Sequence, residues 1–374
     1  MSKRYDTIVI GAGIAGVSTA FWLQKAKESV LLIDRKGLLS GASGAAGAFL
    51  SPRLGKGGAL QKITNDAYRF ALDFYKKEAP EGFFQKGLAR IPKNEEDVEK
   101  FFSLYEPHID VRYRRCESGD LPFIDKNAMR YGAFCFDHSA FVDPMTVAKK
   151  LTERLDTAWG IDAKPVFKDS LWHIGGYKSS KIVLATGAQQ LPVTIPYIKI
   201  GGVWGERVDV RSEADIPMTL HRQISVSANV GGIVRIGATH VREDEGSEIE
   251  RVNRLIVDAI ELVPSLADQR IVRILAGHRS SVSDHFPLIG AVADYDLAKK
   301  LLKSPSKSVK PENSSIPSLN GCYIITGFGG RGFVFGPMMG KILAEKITES
   351  AILSPEISAD RYLLRALRKN GQMR

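Results

Sequence analysis

The sequence predicts an α/β fold: a parallel sheet covered by helices, with a second α+β part on a mixed or antiparallel sheet. Three observations predict it. A glycine-rich turn joins an apolar strand to a helix at the start of the chain. A second apolar strand follows and ends on an acidic residue. From residue 201 on, short strands separated by turn residues replace the strand–helix alternation.

Residues 5–10 are a short run rich in Ile and Val, hence a buried strand. Gly11-Ala12-Gly13-Ile14-Ala15-Gly16 interrupts it, residues 17–27 read as a helix, and residues 30–33 form a second strand ending at Asp34. Parallel strands joined through a helix imply a sheet with helices on its faces. Residues 65–77 read as a helix with Ala67, Phe70, Ala71 and Phe74 on one face. Residues 81–138 are mixed, with a charged helix over 95–104. Residues 142–155 read as a helix with Pro144 in its first turn, where a missing N–H costs little. A β-ribbon is expected over 164–174 and a strand over 181–184. Antiparallel strands are expected over 205–210, 218–225 and 232–236. A helix follows over 247–262, closed by Pro264. Residues 304–317, rich in Ser, Pro and Lys, read as a surface loop. A strand over 322–326 and a final helix over 335–350 complete the reading.

Composition bounds the function. The 374 residues are enough for two lobes. Apolar residues make up 44% and charged residues 25%, as in ordinary globular proteins. No run of about 18 apolar residues occurs, which argues against a membrane-spanning helix. Lys3 and Arg4 before an apolar stretch have the shape of a secretory signal, but the glycine pattern explains that stretch better. Cys116, Cys135 and Cys322 lie far apart with no CxxC pair. This spacing argues against a disulfide framework and a zinc or other metal site, and suits a reducing cytoplasm. The net charge of +10 has a bland reading, a solvated basic surface, and a sharper one, a polyanionic partner. The candidate clusters are Arg112, Arg114 and Arg115, residues 300–310, and the tail 361–374.

The glycine turn matches GxGxxG in the context that gives the pattern meaning, after a strand and opening a helix. Gly11 permits the tight turn, Gly13 lets the backbone approach a pyrophosphate, and Gly16 lets helix pack on strand. Ile14 and Ala15 lie at the helix start, whose N–H groups and positive dipole end suit phosphate. Asp34 stands 18 residues beyond Gly16, where an acid accepts hydrogen bonds from ribose hydroxyls and argues against a 2′-phosphate. The unit alone does not separate FAD from NAD. Two later glycine-bearing turns, Gly41-Ala42-Ser43-Gly44 and Ala185-Thr186-Gly187-Ala188, favour a long extended cofactor, hence FAD.

With these motifs the chain resembles the D-amino-acid-oxidase superfamily, which includes glycine, sarcosine and D-amino acid oxidases. Within it, the chain looks like the FAD-dependent half of the bifunctional tRNA 5-methylaminomethyl-2-thiouridine biosynthesis enzyme. The resemblance rests on Gly41-Ala42-Ser43-Gly44 with Gly47, Ala48 and Pro52; on Gly277-His278-Arg279 with Asp284-His285-Phe286-Pro287-Leu288-Ile289-Gly290; and on the segment 327–337 with Gly330-Arg331-Gly332. Ala45 and Ala46 stand where the family loop carries polar residues, and 137–144 lacks a Gly-Trp-x-x-Pro pattern.

The resemblance implies a Rossmann-type FAD-binding domain with a second α+β substrate domain, the glutathione-reductase-like two-domain fold. The expected division is 1–80, 139–200 and 276–374 for the flavin, and 81–138 and 201–275 for the substrate. Arg35, Gly41, Ala42, Ser43, Val166, Ala185, Gly187, Gly329, Gly330, Arg331 and Gly332 are expected to join Gly11, Gly13, Ile14, Ala15, Gly16 and Asp34 around FAD. Arg279 is expected on the substrate carboxylate, since a guanidinium fork matches it with two parallel hydrogen bonds. Arg331 is expected near substrate or flavin. No catalytic base is assigned to His138, His278 or His285. With no cysteine near Arg279, the flavin is expected to be non-covalent.

The implied reaction removes the carboxymethyl group of 5-carboxymethylaminomethyluridine at the tRNA wobble position, leaving 5-aminomethyluridine, with oxygen reoxidising the flavin. The partner is then tRNA, held through salt-dependent phosphate contacts, and a separate methyltransferase protein would complete the modification. The alternatives are an oxidase or dehydrogenase of glycine, sarcosine or a D-amino acid, or a flavin-free RNA-binding scaffold.

Overall fold

The computed structural model describes residues 3–241, 247–301 and 316–369. The chain forms two compact units. The first is drawn from 1–40, 148–202 and 279–374, the second from 41–147 and 203–278.

In the first unit, strand Lys3–Ile10 pairs in parallel with Val30–Asp34 on one side and Tyr177–Leu184 on the other. Asp156–Trp159 continues the parallel sheet beyond Val30–Asp34, and Ser318–Thr326 continues it beyond Tyr177–Leu184. Leu288–Ala293 then pairs antiparallel with Ser318–Thr326. The central strands are buried on both faces, Ile8, Leu31, Leu32, Ile182 and Leu184 among them, which explains their unbroken apolar runs.

Helix Ile14–Lys25 packs on helix Gly332–Glu349. Gly332, Gly336 and Gly340, spaced four apart, form one smooth ridge along the second helix. A Cβ at Gly340 would lie 2.9 Å from Ser18 Cβ, and one at Gly332 would lie 3.1 Å from Ile14 Cγ2. The two helices therefore run side by side with their N-termini together.

The second unit is built on an eight-stranded sheet in the order Arg270–Ser281, Gly201–Arg211, Ile233–Gly237, Ser225–Val226, Thr219–His221, Leu88–Arg90, Ala133–Phe136 and Arg114–Cys116. Thr219–His221 and Leu88–Arg90 run parallel, while their outer neighbours pair antiparallel. The expected mixed sheet is thus present. Strand residues alternate: Val208, Val210, Leu220, Val226, Val234, Ile236 and Ala89 face helix Glu248–Leu262 and bury Val252, Leu255, Ala259 and Leu262. That helix begins with Ser247 and Glu250 in a reciprocal cap, two orphan donors satisfied at once.

Several expectations are corrected. The first helix starts at Ile14, inside the glycine motif, and the helix expected at 65–77 is Ala59–Glu78. The charged helix expected at 95–104 is regular only over Glu95–Glu99 and widens into π-type turns over Lys100–Tyr105. Residues 142–155 divide into strand Ala140–Val142 and helix Pro144–Thr152, because Pro144 fixes where the helix can begin. Residues 218–225 are two short strands joined by a turn. The helix expected at 335–350 begins at Gly332 and is followed by Asp360–Lys369. Strands Arg270–Ser281 and Leu288–Ala293 add to the reading. Most of the expected loop 304–317 lies outside the described residues.

The cysteine reading is also corrected. Cys116 and Cys135, 19 residues apart, are joined in a disulfide with Cα atoms 6.2 Å apart. They lie diagonally on neighbouring antiparallel strands, where Arg114 faces Cys135 and Cys116 faces Ala133. Cross-strand pairing of this kind leaves no local spacing motif. The cysteine argument for a reducing compartment therefore lapses. Cys322 is buried in its strand, and burial pushes its thiol up to about 12. No helix among the described residues is long and apolar enough to cross a membrane.

Candidate functional site

The carboxyl ends of the parallel strands in the first unit create a crevice edged by glycines, the place where open α/β sheets take ligands. Gly11 turns there with φ +110°, and its N–H donates to Ile33 O at 2.8 Å. A Cβ at Gly11 would lie 2.4 Å from Ala185 O, and one at Gly16 would lie 1.9 Å from Gly11 O. The chain can cross here only on glycine. Gly13 precedes the first helix and Arg331 the last long one, and neither helix start carries a side-chain cap. Because these helices lie side by side, two positive dipole ends meet at the same edge.

Asp34 organises the neighbouring turn. Its Oδ1 accepts from the Lys36 and Gly37 N–H groups and from Ser40 Oγ, whereas among the described residues Oδ2 accepts only from the Ala12 N–H, at 2.9 Å. A carboxylate has about four acceptor positions on two oxygens, so Oδ2 retains capacity for a hydroxyl. Arg35 lies on the surface with Nη2 3.5 Å from Gln189 Oε1. Ala185 N–H donates to Ile10 O at 2.8 Å, and Gly187, with φ +64°, opens onto free space. Between them, the buried Thr186 Oγ1 has no hydrogen-bond partner among the described residues. An orphaned hydroxyl beside two uncapped helix starts and a carboxylate with spare capacity fits the adenosine diphosphate part of a flavin. The sequence motif Ala185-Thr186-Gly187-Ala188 carries Thr186, but nothing in its spacing marks that hydroxyl as functional.

Gly327 (φ +79°) and Gly329 (φ +54°) shape the turn before the last long helix. Arg279, far away in sequence, is brought to this turn: its Cδ lies 3.9 Å from where a Gly330 Cβ would be. Arg331 ends the turn, its N–H donating to Phe328 O. Gly330, Arg331, Gly332 and Arg279 are thus assembled within one unit.

Val166 does not join them. It is exposed on the edge strand Val166–Lys168, faces His173, and so lies level with Lys178 and Arg4. At about 3.3 Å per residue, that is roughly 20 Å below the crevice edge. The strand flanking Asp34 is instead Asp156–Trp159, with Trp159 beside Asp34 and the Ile161 N–H donating to Asp34 O.

Gly41, Ala42 and Ser43 belong to the second unit by compactness and form a helical turn, Ala42–Ala45. Strand Arg270–Ser281 passes against it: a Cβ at Gly277 would lie 2.7 Å from Ala42 Cα. Arg207 Nη1 donates to Ala46 O, which ties the end of the turn to the sheet.

The sheet face opposite helix Glu248–Leu262 is charged, and the site reading missed it. Arg207, Asp209, Arg235, His221 and Arg90 all point there, by alternation from the apolar residues that face the helix. Asp209, almost fully buried, pairs with Arg207 at 2.8 Å and with Arg273 at 2.7 Å. Arg235 pairs with Asp143 at 2.7 Å and donates to Val142 O. Burial pulls Arg207 down to about 10 against the pull of Asp209. The alternation of charged and apolar residues in Arg207-Val208-Asp209-Val210-Arg211 was the available signal.

Asp284, from the motif Asp284-His285-Phe286-Pro287, has a structural partner. Arg361 and Arg365 of helix Asp360–Lys369 both hold it, at 2.9 and 2.7 Å. Burial raises its pKa, but the two guanidiniums more than offset this and take it to about 2. His285 sits at φ +62° and His278 packs edge-on against Trp204. Of the basic clusters, Arg114 pairs with Asp137 and Arg115 with Glu106. Residues 302–310 and 370–374 lie outside the described residues.

A family model described as FAD dependent oxidoreductase matches residues 6–346. The curated "tRNA 5-methylaminomethyl-2-thiouridine biosynthesis bifunctional protein MnmC" of Leptospira borgpetersenii is 24% identical over 408 residues, covering 98% of this chain and 62% of that protein. Its namesake in Campylobacter hominis is 22% identical, covering 97% and 64%. The chain thus spans about three fifths of the length of these relatives. Among solved structures, glycine oxidase from Geobacillus kaustophilus has a TM-score of 0.76 at 20% identity, covering 94% of this chain and 96% of that one. L-proline dehydrogenase from P. horikoshii has a TM-score of 0.74 at 20% identity, with full coverage of both chains. At these identities the structural likeness establishes the fold.

Proposed function

Since the chain belongs to the family of FAD-dependent oxidoreductases, we propose that it oxidises the carboxymethylamino group of 5-carboxymethylaminomethyluridine at the tRNA wobble position, leaving 5-aminomethyluridine. The observation that carries the amine chemistry is Arg279 set against the glycine turn at the start of helix Gly332–Glu349. The tRNA part is supported by the printed names of the relatives and by the net charge of +10.

In this reading Gly11, Gly13, Ile14, Ala15 and Gly16 hold the pyrophosphate of FAD and Asp34 its ribose, with Arg35, Ala185 and Gly187 alongside. Gly41, Ala42, Ser43, Gly329, Gly330, Arg331 and Gly332 hold the remainder. Residues 1–80, 139–200 and 276–374 make the flavin lobe, and 81–138 and 201–275 the substrate lobe. Cys322 is buried and the other two cysteines are bonded together, which supports a non-covalent cofactor. A bound flavin would supply two-electron oxidation at the carbon next to the amine. Arg279 fixes the carboxylate on that carbon through a two-pronged hydrogen bond. The start of helix Gly332–Glu349 and Arg331 offer positive potential where negative charge builds. Water then hydrolyses the resulting imine, releasing glyoxylate and the primary amine.

The test is anaerobic mixing of the yellow protein with glycine, sarcosine, D-alanine and carboxymethylaminomethyl-modified tRNA, following flavin absorbance. Bleaching by the modified tRNA alone is expected. Bleaching by a free amino acid and not by tRNA would replace this reading with a small-substrate oxidase or dehydrogenase.

A further inference from the structure

The Cys116–Cys135 bond carries an electrostatic feature that a purely structural cross-link does not need. Arg114 faces Cys135 across the strand pair, and its Nη1 donates to Cys116 Sγ at 3.0 Å. Asp137 accepts from the Arg114 Nε at 3.1 Å, which holds the guanidinium in place. A guanidinium at this distance stabilises the charged form of sulfur, so it favours the thiolate when Cys116 is reduced. Asp137 offsets part of that charge, but the donor aimed at sulfur remains.

The two sulfurs also differ in access. Cys116 lines a recess of about 240 Å³ together with Arg115, Glu117 and Tyr131, whereas Cys135 is fully buried and does not line it. One water takes about 30 Å³, so a molecule as small as hydrogen peroxide fits the recess. The bond lies at the end of the sheet. Strand Arg114–Cys116 is three residues long, and among the described strands it pairs only with Ala133–Phe136. The ion pairs that flank it, Arg114 with Asp137 and Arg115 with Glu106, involve exposed arginines and hold weakly. Cys322 belongs to the other unit and is buried, so it takes no part.

We propose that Cys116 is a peroxide-sensing cysteine, activated by Arg114 and resolved by Cys135, and that the bond between them locks the edge strand Arg114–Cys116 to its sheet. The Cys116 thiolate attacks one oxygen of hydrogen peroxide; the O–O bond breaks, hydroxide leaves, and Cys116 becomes a sulfenic acid. Cys135 sulfur then attacks Cys116 sulfur; the S–O bond breaks, and water leaves with the Cys135 proton. The two thiols lose two electrons and peroxide gains them. A dithiol reductant reverses the bond by exchange and is itself oxidised to a disulfide. Reoxidation of a flavin by oxygen yields hydrogen peroxide, so the oxidase reading provides a source of oxidant. Only that source rests on the oxidase reading; the thiol chemistry does not.

The test uses the full-length, flavin-loaded protein with no amine substrate, so it stays readable if the amine-oxidation reading fails. Dithiothreitol is added and removed anaerobically, hydrogen peroxide follows, and thiols are counted by labelling and peptide mapping. Peroxide is expected to consume the Cys116 and Cys135 thiols together, and dithiothreitol to restore both, while Cys322 does not change. In Cys135→Ser, dimedone, which traps sulfenic acid, should mark Cys116. Arg114→Gln should slow disulfide formation about three- to tenfold. Losing the charged contact lowers the thiolate fraction about tenfold, and the greater nucleophilicity of a more basic sulfur returns part of that. Amide exchange over 114–116 should quicken on reduction. A bond that resists dithiothreitol in the folded protein, thiols that survive peroxide, no dimedone on Cys116, or an unchanged rate in Arg114→Gln overturns the sensing role. Unchanged amide exchange overturns the lock. Should Cys135→Ser fail to fold, dimedone mapping of the reduced wild-type protein during peroxide addition decides: a mark on Cys116 is expected, and a mark on Cys135 instead overturns the proposal.

Discussion

The crevice edge of the first unit and the charged face of the second solve different problems with different materials. The first is made of backbone: glycines where no Cβ fits, helix starts and one carboxylate. The second is made of long side chains from strands distant in sequence, matched in charge across the sheet. A backbone site tolerates almost no change at its glycines, because a clash with a carbonyl oxygen has no side chain to move aside. A side-chain site can be dismantled one partner at a time, and each loss leaves an identifiable buried charge.

The comparison can be broken most forcefully at Gly16. Gly16→Ala places a Cβ 1.9 Å from the Gly11 oxygen, and a loss of more than about 5 kcal/mol is expected. Soluble yellow protein with an unchanged urea midpoint would show that the turn has slack. On the charged face, Asp209→Asn strips the carboxylate charge from Arg207 and Arg273. That should cost about 3–5 kcal/mol, read by urea unfolding, while the protein that remains folded keeps its flavin. Arg279→Ala should leave the colour intact and lower kcat/KM on the productive substrate about 100-fold, the loss of a two-pronged charged contact. Normal kinetics would remove Arg279 from the site.

The smallest effect belongs to Asp284. Its pKa, about 2 in the folded protein against 3.8 ordinarily, means that its contribution is present above about pH 4 and lost as pH falls toward 2. Solvent screening reduces that contribution to about 1 kcal/mol. Asp284→Asn should flatten that part of the acid limb, measured as urea stability at pH 5 and pH 3.

The same contrast explains what could be read from the sequence. Gly11, Gly16 and Asp34 announce themselves because the constraint that demands them is local, a turn and a strand end within one strand–helix–strand unit. Gly330 and Arg279 were each recognisable in their motifs, but their meeting depends on strand Arg270–Ser281, which local patterning did not reveal. Val166 illustrates the reverse failure. A plausible apolar residue was assigned to the crevice, and only the register of the hairpin shows it at the wrong end of the sheet. The Cys116–Cys135 bond and the Arg90–His221 contact are products of strand order, in which residues 88–90 and 219–221 become neighbours. No periodicity encodes that.

The glycine ridge of helix Gly332–Glu349 has a consequence for how the protein is made. Residues 318–349 supply a strand of the first sheet and the helix that rests on Ile14 and Ser18. A nascent chain that has emerged only as far as residue 300 holds the glycine turn and Asp34 without the second helix start that lies beside them. The edge with both helix starts is therefore complete only once synthesis has passed the last of these glycines.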